Sequence, residues 1–254
     1  MIGLGTMLVK ELREQWRTRR LLVVTIVFVA FGIASPLLAR YTPELIGALA
    51  GEEGIDIAFP PPTTADAIGQ FVRNLGQTGV LAAILLAMGS VATEKERGTA
   101  AMWLTKPLTR AAFLSAKAFA IGAVLAVGVV GAGIAGFGYT AYLFEAPSAG
   151  GWTLMCALVL LQMSAYAAVT FLGSTLTRSP LAAAGIGIAM LTLIAIVGVL
   201  PGIGTWTPAG LATAGVALAA GADPERLAEP VLATIAVIAV ALIGSWLSFR
   251  RQEL

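Results

Sequence analysis

The sequence predicts an all-α membrane protein with six transmembrane helices. Its composition is 58% hydrophobic and only 12% charged, and the mean hydropathy is +0.88. These values are typical of chains that lie mostly within a lipid bilayer. Charged residues are largely excluded from six stretches of about 20 residues, the length that a helix needs to cross roughly 30 Å of hydrocarbon. No stretch shows the regular alternation of apolar and polar residues that a transmembrane β-barrel requires.

The six predicted spans form a single transmembrane domain over residues 1–254. They cover approximately residues 21–39, 71–92, 111–144, 152–176, 180–200 and 230–249. Their abundance of Gly, Ala and Val favours helices that pack at close range. In the third span, Gly128, Ala132 and Gly136 recur at four-residue intervals, which predicts a surface that a neighbouring helix approaches closely.

Residues 3–20 are expected to form an amphipathic interfacial helix before the first span. Leu4, Leu8, Leu12 and Trp16 recur at four-residue spacing, and most of the charged residues fall on the other side. The alternative is a basic flank that only sets the orientation of the first span.

Capping residues predict where three of the later helices begin. Residues 40–70 are expected to form a loop, within which Thr63 and Asp66 make a capping-box pattern for a helix that runs on to Ala92. Thr109 is a candidate N-cap for the third span. Ser179 followed by Pro180 is typical of a helix start and predicts the fifth span, antiparallel to the fourth.

Residues 201–229 do not fit a seventh span. Residues 208–220 are apolar but too few to cross the bilayer, and a further crossing would place the basic C-terminus on the outer side. We therefore expect a re-entrant or interfacial outer segment between the fifth and sixth spans.

The distribution of basic residues orients the chain. With six spans and an inner N-terminus, all of the 16 Lys and Arg residues except Arg40, Arg73 and Arg226 lie on one side. The positive-inside rule predicts that this side, with both termini, is cytoplasmic. The net charge of +2 gives no support for nucleic-acid binding.

The sequence lacks the patterns of common catalytic and metal sites. It contains no His, no nucleophile-elbow motif and no phosphate-binding G-x-x-x-x-G-K-[ST] loop. No Asp, Glu, Lys or Arg lies in the middle of a span, where such residues usually mark proton or ion relays. We expect no catalytic residue, no metal and no bound cofactor, so energy for any transport should come from another polypeptide.

A charged segment, residues 93–110, separates the second and third spans. It combines acids, a Gly-Thr pair, a short apolar run, a Lys-Pro pair and a base. The residues concerned are Glu94, Glu96, Gly98, Thr99, Met102, Trp103, Leu104, Lys106, Pro107 and Arg110. Glycine permits backbone conformations that other residues resist, and an exposed Trp and Met are typical of a protein contact. The alternative is a solvated turn whose Trp lies against lipid headgroups.

This segment, together with Lys117 at the start of the next span, resembles the inner loop of type-2 ABC exporter permeases. The six-span layout, the interfacial helix and the outer segment before the last span are also similar. The resemblance implies that residues 93–110 contain a coupling helix that docks on a cytoplasmic ABC ATPase. It further implies two ATPase copies that use ATP and Mg, and a second permease copy in a homodimer or related heterodimer.

The resemblance also implies a multi-pass protein of the prokaryotic plasma membrane that exports a substrate. The alternative function is a non-transporting membrane scaffold that docks a cytoplasmic partner through the same 93–110 loop.

Five polar side chains lie within or close to the predicted spans. Gln70, Asn74 and Gln77 share one face of the second helix, and Gln162 and Tyr166 are four residues apart in the fourth span. Because exposing such groups to lipid is costly, they should face protein or a water-filled cavity. Hydrogen bonding between helices is the favoured interpretation, and lining of a translocation path is the second.

Overall fold

The computed structural model describes residues 3–52, 60–99, 108–198, 200, 204–224 and 226–252. The described part is all-α, as predicted. Its helices are α1 (Leu4–Arg17), α2 (Arg20–Glu52), α3 (Thr64–Met88), α4 (Ala92–Glu96), α5 (Arg110–Leu143), α6 (Ala149–Leu176), α7 (Pro180–Gly198), α8 (Gly210–Ala219) and α9 (Ala228–Arg251), with a 3₁₀ turn at Gly204–Trp206. Six of these helices, α2, α3, α5, α6, α7 and α9, are long and apolar enough to cross a membrane.

The first loop is much shorter than predicted. Residues 40–70 are predicted to form the loop, with a helix starting at the Thr63 cap. α2 instead continues through Pro43 to Glu52, while α3 begins at Thr64, directly after the predicted cap. Arg40 ends the apolar run without ending the helix, because helical hydrogen bonding does not require lipid around it. The second helix also ends earlier than expected, at Met88, and a turn separates it from the short α4.

The predicted caps are confirmed. The Thr63 amide donates to Asp66 Oδ2 over 2.8 Å and the Asp66 amide donates to Thr63 Oγ1, so the capping box is complete. The Thr109 hydroxyl accepts from the Ala112 amide at the start of α5. α7 begins at Pro180, directly after Ser179.

Small residues allow α2 and α5 to pack closely, as their spacing predicts. A Cβ atom on Gly32 would lie 2.6 Å from the Ala132 carbonyl oxygen, so only hydrogen at this position permits the observed distance. Gly128 likewise faces the ring of buried Phe28. The first and third spans thus meet through a backbone contact at Gly32 and a ring contact at Gly128.

The antiparallel pairing of the fourth and fifth spans is confirmed. Gly173 of α6 faces Ile186 of α7, and Gly187 of α7 faces Thr170 of α6. The short α8 packs on the start of α6, where a Cβ on Gly151 would overlap the Leu218 carbonyl. Ten residues span only about 15 Å, so α8 cannot cross a bilayer. Its position relative to the membrane stays a prediction.

The N-terminal helix α1 turns a partly charged face toward the protein. Met7, Glu11 and Gln15 are buried, whereas Trp16 is 69% exposed and Leu12 is also exposed. The predicted apolar stripe is therefore divided: Leu4 and Leu8 are partly buried against the core, and Leu12 and Trp16 point away from the bundle. α1 and α4 lie at the same end of the bundle as the start of α5 and the ends of α6 and α9. We call this the basic end.

Candidate functional site

A buried group of charges connects three helices at the basic end. The Lys117 ammonium of α5 lies 2.7 Å from Glu94 Oε1 of α4 and 3.1 Å from Glu11 Oε1 of α1. The Lys117 side chain is only 4% exposed. Lys10 approaches the same two carboxylates, at 2.9 Å and 3.6 Å, and also lies 3.2 Å from Glu14. We call these five residues the charge cluster.

The charge cluster is electrostatically coupled. Burial lowers the pKa of Lys10, but its hydrogen bond to Glu11 and the charges of Glu11, Glu94 and Glu14 outweigh burial, so the pKa is raised above its ordinary value. Burying charges is costly unless each has a close partner, and removing one partner leaves the other uncompensated. The charge cluster therefore stabilises the packing of the three helices as long as the charges of both signs are present together.

Hydrogen bonds join the start of the 93–110 loop to α6. The Ser174 hydroxyl accepts from the amides of Val91 and Ala92, at 3.0 Å and 2.9 Å, in the turn between α3 and α4. The Lys95 ammonium donates to the Thr175 carbonyl over 2.8 Å. The end of the fourth span thus supports the helix from which the loop departs.

The end of the loop is joined to α9. Nη1 of Arg110 donates to the carbonyls of Phe249, Arg250 and Gln252 over 2.8–3.0 Å, so this guanidinium satisfies acceptors that the C-terminus of a helix leaves unpaired. The rings of Phe113 and Phe249 stack one turn away, with centroids 5.5 Å apart. Both ends of the loop are therefore connected to the helix bundle.

The predicted docking residues separate into four groups. Glu94 and Arg110 bind residues of this chain, while Glu96 and Gly98 are exposed and Gly98 has a φ of 68°. The Thr99 hydroxyl donates to the Glu94 carbonyl at 3.3 Å, back to the preceding helix. Met102, Trp103, Leu104, Lys106 and Pro107 lie outside the described residues.

Sequence reasoning missed two functional candidates, Glu11 and Ser174. Glu11 lies with Met7 and Gln15 on the buried face of α1. The predicted apolar stripe did not identify this face as the one that packs against the protein. Lys117 is the signal that could have found Glu11, because a lysine that enters a span needs an acidic residue as its partner. Ser174 carried no sequence signal, because its partners are backbone amides more than 80 residues away.

Two of the five polar residues in or near the spans take part in one hydrogen-bonded chain, which Asn74 extends to a second helix. Gln70 Nε2 donates to Asn74 Oδ1 over 3.1 Å, and Asn74 Nδ2 donates to the hydroxyl of buried Ser35 in α2, also over 3.1 Å. The Arg73 guanidinium donates to Gln70 Oε1 over 2.9 Å. These contacts favour the packing interpretation for Gln70 and Asn74.

The other three polar residues line an open cavity of about 800 Å³. Gln77 reaches it from α3, and Gln162 and Tyr166 reach it from α6. α7 and α8 close the remaining walls with mostly aliphatic side chains. Its size is in the range of small-molecule sites, so the geometry favours the path interpretation for these three residues.

Comparisons with known proteins agree with this architecture. A family model described as "ABC-2 family transporter protein" matches residues 6–254. The chain is also 29% identical over 207 residues to a protein of Bacillus subtilis (strain 168) described as "Uncharacterized transmembrane protein YxlG", with 80% of each chain covered. The family match includes all six long helices and the charge cluster. The chain therefore belongs to the ABC-2 family of transporter proteins, as a membrane permease subunit of an ABC transporter.

Proposed function

We propose that this permease exports its substrate with energy from a separately encoded ATPase that docks on the 93–110 loop. The observation that carries the proposal is the connection of both ends of this loop to the helix bundle. Glu94 binds Lys117 inside the protein, and Arg110 binds the last turn of α9. A displacement of the loop would therefore be transmitted to α1, α5, α6 and α9 together, as coupling requires.

Nucleotide chemistry in this proposal belongs to the partner. The sequence has no phosphate-binding loop, so ATP and Mg would be bound by two ATPase subunits, one for each permease of a homodimer or related heterodimer. The cavity lined by Gln77, Gln162 and Tyr166 would form part of the translocation path in each permease.

The proposed orientation places the basic end in the cytoplasm of a prokaryotic cell. Two glutamates at opposite ends, Glu96 and Glu145, are exposed and suit a paired test. In a Cys156→Ala background, we expect Glu96→Cys to resist an impermeant thiol reagent in intact cells and Glu145→Cys to react. Labelling of Glu96→Cys but not Glu145→Cys from outside would reverse the orientation and place the loop beyond reach of any ATPase.

Docking is tested by Trp103→Ala. A central aromatic side chain in a protein interface typically contributes on the order of 2 kcal/mol or more, so the affinity for the ATPase should fall roughly thirtyfold. Trp206, which is 56% exposed at the opposite end of the bundle, supplies the matched control. Trp206→Ala should leave ATPase co-purification and transport unchanged.

Two outcomes would contradict this assignment. If Trp103→Ala binds the ATPase as tightly as the parent chain, Trp103 is not a docking residue. If a partner co-purifies through the loop but no substrate movement accompanies ATP hydrolysis, the chain acts as a scaffold and not as an exporter.

A further inference from the structure

The open cavity contains one charge in an otherwise neutral lining. Of the described residues that line it, Arg73 alone is ionised at neutral pH. The side chain is exposed, and one N–H of its guanidinium is bound by Gln70. Arg73 takes part in no ion pair among the described residues. A guanidinium has five N–H donors, so most of its capacity to bind an anion is available.

The polar groups lie along the cavity in a defined order. Arg73 is about 14 Å along α3 from Thr64, and Gln77 lies one turn further toward the basic end. Gly79 faces Met163, so Gln162 lies near the depth of Gly79 and Tyr166 lies about one turn beyond. The cationic group of the cavity therefore lies farthest from the basic end. The carboxamide and hydroxyl groups lie between it and the basic end.

Aliphatic side chains cover most of the remaining wall. Val72, Val80 and Leu81 contribute from α3, Leu191 from α7 and Val216 from α8. This surface suits an apolar body such as an alkyl chain, because burial of apolar area is favourable and independent of direction. A purely polar anion would leave this wall without a partner, and a cationic amphiphile would place like charge beside Arg73.

We propose that the cavity binds an anionic amphiphile, an alkyl chain whose anionic head group is bound by Arg73. Charge-assisted hydrogen bonds from arginine to phosphate or carboxylate oxygens are short and can be bidentate, which gives the head group a fixed position. The proposal names the substrate class of the proposed translocation path and so rests on the proposed function.

Binding is measured without the ATPase, by protection of a cysteine in the cavity. Thr213 of α8 lines the cavity and is exposed, so Thr213→Cys in a Cys156→Ala background reports on occupancy through its rate of maleimide labelling. The probes are dodecyl phosphate, dodecyltrimethylammonium and inorganic phosphate, added to protein in an uncharged detergent. We expect dodecyl phosphate to protect at concentrations at least about tenfold lower than dodecyltrimethylammonium, and inorganic phosphate not to protect.

Three variants distinguish an effect of the Arg73 charge from a loss of folding. Arg73→Gln should remove the preference for the phosphate head group, whereas Arg73→Lys should retain part of it. Arg40→Gln, which removes a cation of α2 outside the cavity lining, should keep the full preference. All three variants should elute as folded protein on size exclusion.

Equal protection by the two amphiphiles, absence of protection, a preference that survives Arg73→Gln, or protection by inorganic phosphate alone would each overturn the proposal. Failure of the proposed function gives a different result. In that case no ATPase would co-purify with the chain while the phosphate preference persisted.

Discussion

Replacing Lys117 by methionine should lower the free energy of unfolding by about 3 kcal/mol, the lower end of the cost of breaking a buried ion pair, because Glu11 and Glu94 would keep only the more exposed Lys10 as a cation. Methionine preserves much of the volume of the lysine side chain, so the loss should come mainly from charge and not from a cavity. Unfolding of the purified chain in mixed micelles, followed by tryptophan fluorescence, measures the change.

Lys10→Met is the matched control for this prediction. Its side chain is 28% exposed, and water can partly replace its contacts, so the loss should be clearly smaller. Combining Lys117→Met with Glu11→Gln and Glu94→Gln should recover much of the stability by removing the unpaired charges. Equal losses for the two lysine variants, or no recovery in the combined variant, would contradict the importance of the buried charge cluster.

Gly32→Ala should be a damaging small substitution at the contact between α2 and α5. The added Cβ would lie 2.6 Å from the Ala132 carbonyl oxygen, and neither backbone can yield without moving a whole helix. Overpacking of this kind costs about 1–3 kcal/mol. The same unfolding measurement should therefore show a loss, accompanied by weaker packing of α2 on α5.

Gly138→Ala in α5 provides the comparison. A Cβ there meets nothing within 4 Å, so the substitution should be neutral or stabilising by about 0.5–1 kcal/mol through the helix preference of alanine. If Gly32→Ala changed the free energy of unfolding no more than Gly138→Ala, α2 and α5 would not approach each other as closely as described.

Features that depend on residues close together in the chain could be predicted from the sequence. The six long helices follow from the lengths of their apolar runs, and the starts of α3, α5 and α7 follow from caps whose partners are within three residues. The stripe of Gly128, Ala132 and Gly136 predicted a close helix contact, because small side chains at one helical spacing produce a flat surface whatever helix meets it. Helix ends were less predictable. α2 passes Arg40 because leaving the hydrocarbon does not interrupt its hydrogen bonds.

The candidate site required the tertiary structure. The bond between Lys117 and Glu11 joins residues 106 positions apart, and Arg110 binds carbonyls about 140 positions away. Gln70, Asn74 and Gln77 are all carboxamides on one face of α3, so the sequence does not distinguish their roles. In the structure, Asn74 binds Ser35 of another helix, whereas Gln77 lines a cavity. The sequence by itself determined which segments are helical and apolar, since these properties depend on local bonding and solvent. Only the packing of the helices decided which polar groups are paired and which line the cavity, since pairing depends on the rotation and depth of each helix against its neighbours.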